Sequence, residues 1–291
     1  MKYCVLLAAV LLMLSCEKDV TLHLNNAEPL LVVDAQIESG QAPVVVLTKS
    51  LGYFSKIDPQ ILAGSFVRNA EVYISNGTVT HKLKEYSTSL APGFTAYFYS
   101  NDLSNPSTLF IGQFAKSYNL RVVAEGKEYN STTFIPNNLI TLDSIYTRVA
   151  PQNPDTSKRV LLLKSTDPAG LGNYGRYFTK KNSEPFLPGE NSVFDDQVID
   201  GTVFTVQLPQ GIDRNNPPKA DSNFFKRGDT ITLKYCNIPQ SAYTFWSTWE
   251  FAFQGIGNPF SQPNKVLGNI SNGALGAFCG YGVQFKTIIA R

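Results

Sequence analysis

The feature that most restricts the fold is punctuation. Short runs rich in Val, Ile, Thr, Tyr and Phe are separated by turn-forming residues at fairly even intervals. Glu38-Ser39-Gly40, Asn76-Gly77, Pro92-Gly93 and Glu125-Gly126 each fall between two such runs. β-branched and aromatic side chains fit a pleated, half-buried surface, and glycine supplies the positive φ of a tight reversal. The runs at 30–37, 43–48, 67–75, 78–84, 94–99, 118–124 and 127–134 therefore predict seven strands, with a long irregular loop over 53–65. Asn-Gly between alternating runs predicts a type I′ turn with positive φ at both positions. Seven short strands over little more than one hundred residues predict a first domain at 30–136, an Ig-like or prealbumin-like β-sandwich. It ends at the polar turn Pro136-Asn137-Asn138.

Further strand patterns at 139–149, 160–164, 174–179, 203–208, 230–235 and 278–289 predict a second antiparallel β-sandwich over 137–291. One helix interrupts it, near 241–253. Ala242, Phe245, Trp246, Trp249 and Phe253 recur on one helical face, Ser241 is a plausible N-cap, and Gly255 and Gly257 end the pattern. Glu250 lies too far along to complete a capping box. An aromatic stripe at this spacing predicts packing on a sheet, although flat aromatics also stack on sugar rings or form protein contacts. Tyr243 points elsewhere on the helix and is a candidate exposed contact. Tyr53 and Phe54 in the first domain, and Phe260 in the Pro-rich loop at 258–264, either pack down or form a binding rim.

The amino terminus places the chain. Lys2 precedes an apolar run from Val5 to Leu14 of about ten residues, the length of a signal-peptide core and too short to span a bilayer. Ser15 then precedes Cys16. This resembles a bacterial lipoprotein signal at 1–15, with Met13 and Leu14 departing from the usual residues. The resemblance implies cleavage after Ser15, acylation of Cys16 and a lipidated tether at 16–29. The alternative is an ordinary secretory signal with an incidental thiol. Glu17-Lys18-Asp19 resembles an acidic tag for export to the outer face of the outer membrane; a solvated tether is the plainer reading.

Charge and cysteine content narrow the partners. The chain has 25 basic and 23 acidic side chains, and removing residues 1–15 removes only Lys2. With 24 against 23 there is no excess to neutralise phosphates, so no nucleic-acid partner is expected. Cys4 leaves with the signal. Cys236 and Cys279 remain, either as a disulfide tying the last strand to the one before the helix or as two separately buried thiols.

Sites for chemistry are scarce. The histidines are His23, in the tether, and His81, on a polar hairpin strand, and there is no Gly-x-Ser-x-Gly elbow. Glu184, Glu190, Asp195, Asp196 and Asp200 cluster in a loop-rich stretch and could bind calcium through oxygen ligands. They lack the spacing of an EF-hand, and a solvated loop is the preferred reading. No catalytic residue, metal site or cofactor is assigned.

Several segments together carry a family resemblance: Glu28-Pro29-Leu30-Leu31-Val32-Val33, Phe225-Lys226-Arg227-Gly228-Asp229-Thr230, Asn258-Pro259-Phe260-Ser261-Gln262-Pro263, and the stretch from Asn269 to Phe278. In this order, behind a lipoprotein-like signal, they resemble the Bacteroidota lipoprotein family defined only as domain of unknown function 4249. The likeness covers nearly the whole mature chain. Cys279 stands where that family usually has an aromatic or small residue. The resemblance implies an outer-membrane lipoprotein, membrane-bound through its lipid and often encoded beside a TonB-dependent receptor. It supplies no catalytic residues. The expected function is thus a non-catalytic accessory or ligand-capture partner of such a transporter, with ligand unknown. A structural or adhesion module of the envelope and an envelope hydrolase are the alternatives.

Overall fold

The computed structural model describes residues 28–51, 58–91, 94–137, 140–151, 153–216, 224–258, 262 and 264–291. The first part of the chain forms β1 (Leu31–Glu38), β2 (Val44–Lys49), α1 (Pro59–Gly64), β3 (Glu71–Ser75), β4 (Thr80–Lys82), β5 (Lys84–Ala91), β6 (Phe94–Ser100), β7 (Lys116–Ala124) and β8 (Lys127–Ile135). The second part forms β9 (Thr141–Val149), β10 (Lys158–Thr166), β11 (Tyr174–Lys181), β12 (Leu187–Asp195), β13 (Val203–Leu208), β14 (Phe225–Lys226), β15 (Thr230–Ile238), α2 (Gln240–Gln254) and β16 (Leu275–Ile289). The protein is mainly β, as the turn spacing predicts.

Among the described residues, the strands form one large sheet and two small ones. The large sheet has the order β12-β11-β15-β16-β1-β2-β6-β5. One small sheet has the order β4-β3-β7-β8; in the other, β10 pairs with β9, β13 and β14. Period-two burial explains the stacking. Val33, Ala35 and Ile37 of β1 turn one way and meet Val72 and Ile74 of β3 and Leu120 and Val122 of β7 in a first core. Ile231, Leu233 and Tyr235 of β15 meet Leu161 and Leu163 of β10 and Phe225 of β14 in a second. The small sheets thus lie side by side on one face of the large sheet. Cys236, Cys279 and Tyr281 turn to the opposite face, where α2 covers them.

Residue 136, the boundary expected from the sequence, lies between two cores. The cores separate there, since the first takes in Ile135 and the second begins with Ile140. The large sheet, however, runs through both. β16 is the shared strand: residues 275–281 pair in parallel with residues 32–38 of β1, and residues 282–289 pair antiparallel with β15. Phe278 completes the first core from the far end of the chain. The chain crosses from β8 to β9 beneath β16, where Gly280 lies against the Phe134 carbonyl and Gly282 against that of Pro136. Beyond the crossing, the Ile140 N–H donates to Asn237 Oδ1 (3.1 Å), and Gln284 Nε2 donates to the Ile140 carbonyl (2.8 Å). Those side chains satisfy backbone groups that would otherwise be buried unpaired.

Other local expectations change. Of Asn76-Gly77, only Gly77 has positive φ (87°). The Asn76 side chain instead accepts from Thr78 N–H and Val79 N–H, both at 3.0 Å, so the connection spans four residues instead of two. Glu125 (φ 51°) and Gly126 (φ 74°) form the tight turn with both φ positive. The end of the loop expected at 53–65 is the helix α1, capped by Asp58, whose carboxylate accepts from Ile61 N–H at 2.8 Å, with Pro59 opening the first turn. Pro239, not Ser241, sits at the α2 N-cap, with no side-chain cap bond.

Cys236 and Cys279 are free, buried thiols, so the disulfide does not form. Cys236 stands opposite Val283, four residues along β16 from Cys279. At ~3.3 Å per residue that offset exceeds the ~7 Å Cα separation a disulfide tolerates. Burial pushes both thiols up to about 12.

Candidate functional site

The helix α2 is fixed to the large sheet by a buried polar network. Glu250 is 3 % exposed, although it shares the apolar stripe with Trp246 and Phe253. Its carboxylate accepts from Ser192 N–H (2.9 Å), Ser192 Oγ (2.5 Å) and Arg214 Nη2 (2.8 Å). Arg176 of β11 donates to Ser192 Oγ (3.1 Å) and Tyr281 Oη (3.0 Å), and its guanidinium carbon lies 3.4 Å from the centre of the Trp246 ring. Trp246 Nε1 donates to the same Tyr281 oxygen at 2.9 Å. Arg214 in turn covers Trp249, 4.8 Å from its ring centre. Glu250 and Arg214 are thus paired, and Arg176 is hydrogen-bonded and stacked on an aromatic ring, conditions under which burial of charge is tolerable.

Beside this network lies a cleft of about 380 Å³ between the edges of two sheets. β12 ends the large sheet and β13 flanks β10 in the small one. Val193 and Phe194 of β12, Phe204, Val206 and Leu208 of β13, and Tyr177 contribute to its lining. The Tyr177 hydroxyl is buried without a hydrogen-bond partner. Burial, and then the charge of Glu250, pushes that hydroxyl well above its ordinary range. A concave, mostly apolar wall with a few polar groups is the usual form of a ligand site.

Next in sequence to Asp195 and Ile199, which line the cleft, stands a group of carboxylates. Asp167 follows β10, and Asp196 and Asp200 follow β12. One oxygen from each lies within 4.8 Å of the others. Asp167 and Asp196 are buried and Asp200 is exposed. Burial pushes the Asp167 carboxyl above the usual range, and the charges of Asp196 and Asp200 push it the same way. This corrects the reading of the acidic stretch as a solvated loop. Residues 187–195 are a strand, Asp196 is buried, and Asp167, from a separate turn, joins the group.

The residues singled out from sequence are dispersed. Tyr243 is half-buried: its ring stacks on Tyr174 with centres 4.8 Å apart, and its hydroxyl donates to Asp195 Oδ2 at 3.1 Å. It is committed to packing instead of standing free. Phe245 and Trp246 pack against the large sheet. His81 packs edge-on against Phe110, with ring centres 5.9 Å apart. Cys16, Tyr53, Phe54 and Phe260 lie outside the described residues. Glu250 was legible only as a carboxylate on an apolar stripe, four residues after Trp246 and three before Phe253, and Asp167 only as part of Asp167-Pro168-Ala169-Gly170.

A comparison with curated proteins finds no match to the chain. A family model does match, over residues 17–287, and so takes in both small sheets and nearly all of the shared strand β16. The chain therefore belongs to the family described as domain of unknown function 4249.

Proposed function

We propose that the protein is a lipid-anchored component of a bacterial outer membrane, held through Cys16 and facing the cell exterior, that serves a TonB-dependent receptor by contact instead of catalysis. The observation that carries the anchoring is the stretch Leu14-Ser15-Cys16, placed after an apolar run of about ten residues. Two or three acyl chains hold firmly where one is marginal, because each buried methylene contributes about 0.8 kcal/mol. A rigid β scaffold with an apolar cleft at its edge supports a binding role, since loops and sheet edges present contacts without disturbing the core. The ion pair of Glu250 with Arg214, and the hydrogen bonds of Arg176 to Ser192 and Tyr281, also favour contact over bond-breaking, because these groups already have structural partners.

The test is capture of the native, lipidated protein from membranes in mild detergent, followed by identification of what accompanies it. A TonB-dependent receptor recovered with the wild type is the expected result. Cys16→Ala is expected to release the protein from the membrane fraction. A variant that stays membrane-bound would sink the anchoring. Recovery without a receptor, and without glycan or peptide binding, would instead favour a structural envelope module.

A further inference from the structure

The carboxylates of Asp167, Asp196 and Asp200 are arranged for a ligand. Asp167 and Asp196 are each 2 % exposed, and both belong to loops that cross between sheets. The loop after β10 leads from a small sheet to the large one, and the loop after β12 leads back. Backbone amides hold each carboxylate in place. Gly201 N–H donates to Asp167 Oδ2 (3.2 Å), Gly172 and Asn173 N–H to Asp196 Oδ2 (2.8 Å each), and Gly170 N–H to Asp200 Oδ1 (2.6 Å). Among the described residues, no lysine or arginine forms an ion pair with any of the three.

One atom has no partner at all. Asp167 Oδ1 is fully buried and makes no hydrogen bond. The Asn173 amide stands near enough to act on the Asp167 carboxyl, but its hydrogen bond runs to the Gly170 carbonyl at 3.1 Å. A cation satisfies both the oxygen and the surplus of negative charge. We propose that Asp167, Asp196 and Asp200 bind one calcium ion, which staples the loop after β10 to the loop after β12.

The spacing and donor type fit calcium. Two oxygens on one calcium, each at about 2.4 Å, are at most about 4.8 Å apart, and the three carboxylate oxygens lie within 4.8 Å of one another. The donors are all oxygen, which argues against zinc with its preference for nitrogen and sulfur. Three carboxylates on two irregular loops suit calcium's adaptable shell better than magnesium's near-ideal octahedron, which usually takes one or two. Asp200 is exposed, so water can complete the shell from that side. The ion would also steady the cleft, whose lining includes Asp195 at the end of β12 and Ile199 from the loop that follows.

The experiment uses the full mature chain, dialysed against EGTA, then titrated with calcium chloride by calorimetry and followed by thermal unfolding. One calcium per chain is expected, with a Kd on the order of 10⁻⁴ M, the range of extracellular modules, and a Tm that rises to a plateau. Asp200→Asn, altering an exposed side chain, is expected to weaken binding at least about tenfold, the loss of roughly one charged ligand, and to flatten the Tm response. Asp167→Asn is expected to do the same. No heat and an unchanged Tm in the wild type would overturn the proposal. Undiminished binding in both variants would also overturn it, by placing the ion elsewhere. An equal response to magnesium chloride would overturn the choice of calcium.

Discussion

Glu250 decides how α2 sits, because a buried carboxylate tolerates no half-measures. Its side chain is 4 % exposed and that of Arg214 12 %, so removing one partner leaves the other charge stranded at low dielectric. Glu250→Ala is expected to lower stability by about 3–5 kcal/mol, seen as a fall in the urea midpoint of tryptophan fluorescence. Trp246 and Trp249 are the chain's two tryptophans, and both lie on this helix. A loss near zero would mean that the network contributes register and not stability. Little of this was legible beforehand. The aromatic stripe gave the helix and its inward face, since apolar periodicity reports burial directly. It gave no partner for Glu250, because Ser192 and Arg214 are 58 and 36 residues away along the chain. The acidic group was half legible for the same reason. Asp196 and Asp200 stand together in sequence, whereas Asp167 joins them only through the fold.

Among the elements, β16 bears the most obligations. It closes the ladder of β1, completes the first core with Phe278, supports β15 and passes over the β8–β9 crossing. Close approach to backbone is what demands glycine at residue 280. A methyl group there would collide with the Phe134 carbonyl, a main-chain atom that cannot rotate aside. Gly280→Ala is expected to destabilise the protein by about 1–3 kcal/mol, the range of core overpacking, with faster amide exchange in peptides from both β8 and β16. Exchange altered in β16 alone would show that the crossing yields easily. Strands bounded by turn residues were legible, and β7 and β8 appear close to their expected bounds. β12 was not. Leu187-Pro188-Gly189-Glu190-Asn191-Ser192 reads as loop, yet an edge strand tolerates proline and glycine, and the β11–β12 register shifts there. The parallel β1–β16 pairing was beyond reach, because its partners are some 240 residues apart and no local pattern encodes which distant strand will pair.

At the scale of the molecule, two hydrophobic cores share one sheet. The first lacks Phe278 and a strand neighbour for β1 unless the carboxy-terminal strand is in place. The first half therefore has no complete core of its own, and the two are expected to unfold together. Tryptophan fluorescence, which reports α2, and far-UV circular dichroism, to which both halves contribute, should give coincident urea transitions. Separate midpoints, or a 28–136 fragment with a cooperative transition of its own, would contradict this. The position of β1 has a mechanical corollary. It lies between β16 and β2, inside the large sheet and not at its rim. Its start lies beside Leu275, and β16 then runs on in the same direction towards Ile289. Tension entering through the residues before β1, with β16 held at its far end, would load two ladders in shear, so that many hydrogen bonds must fail at once. An edge strand pulled the same way would unzip bond by bond. A molecule tethered at that end would meet drag with its sturdiest seam.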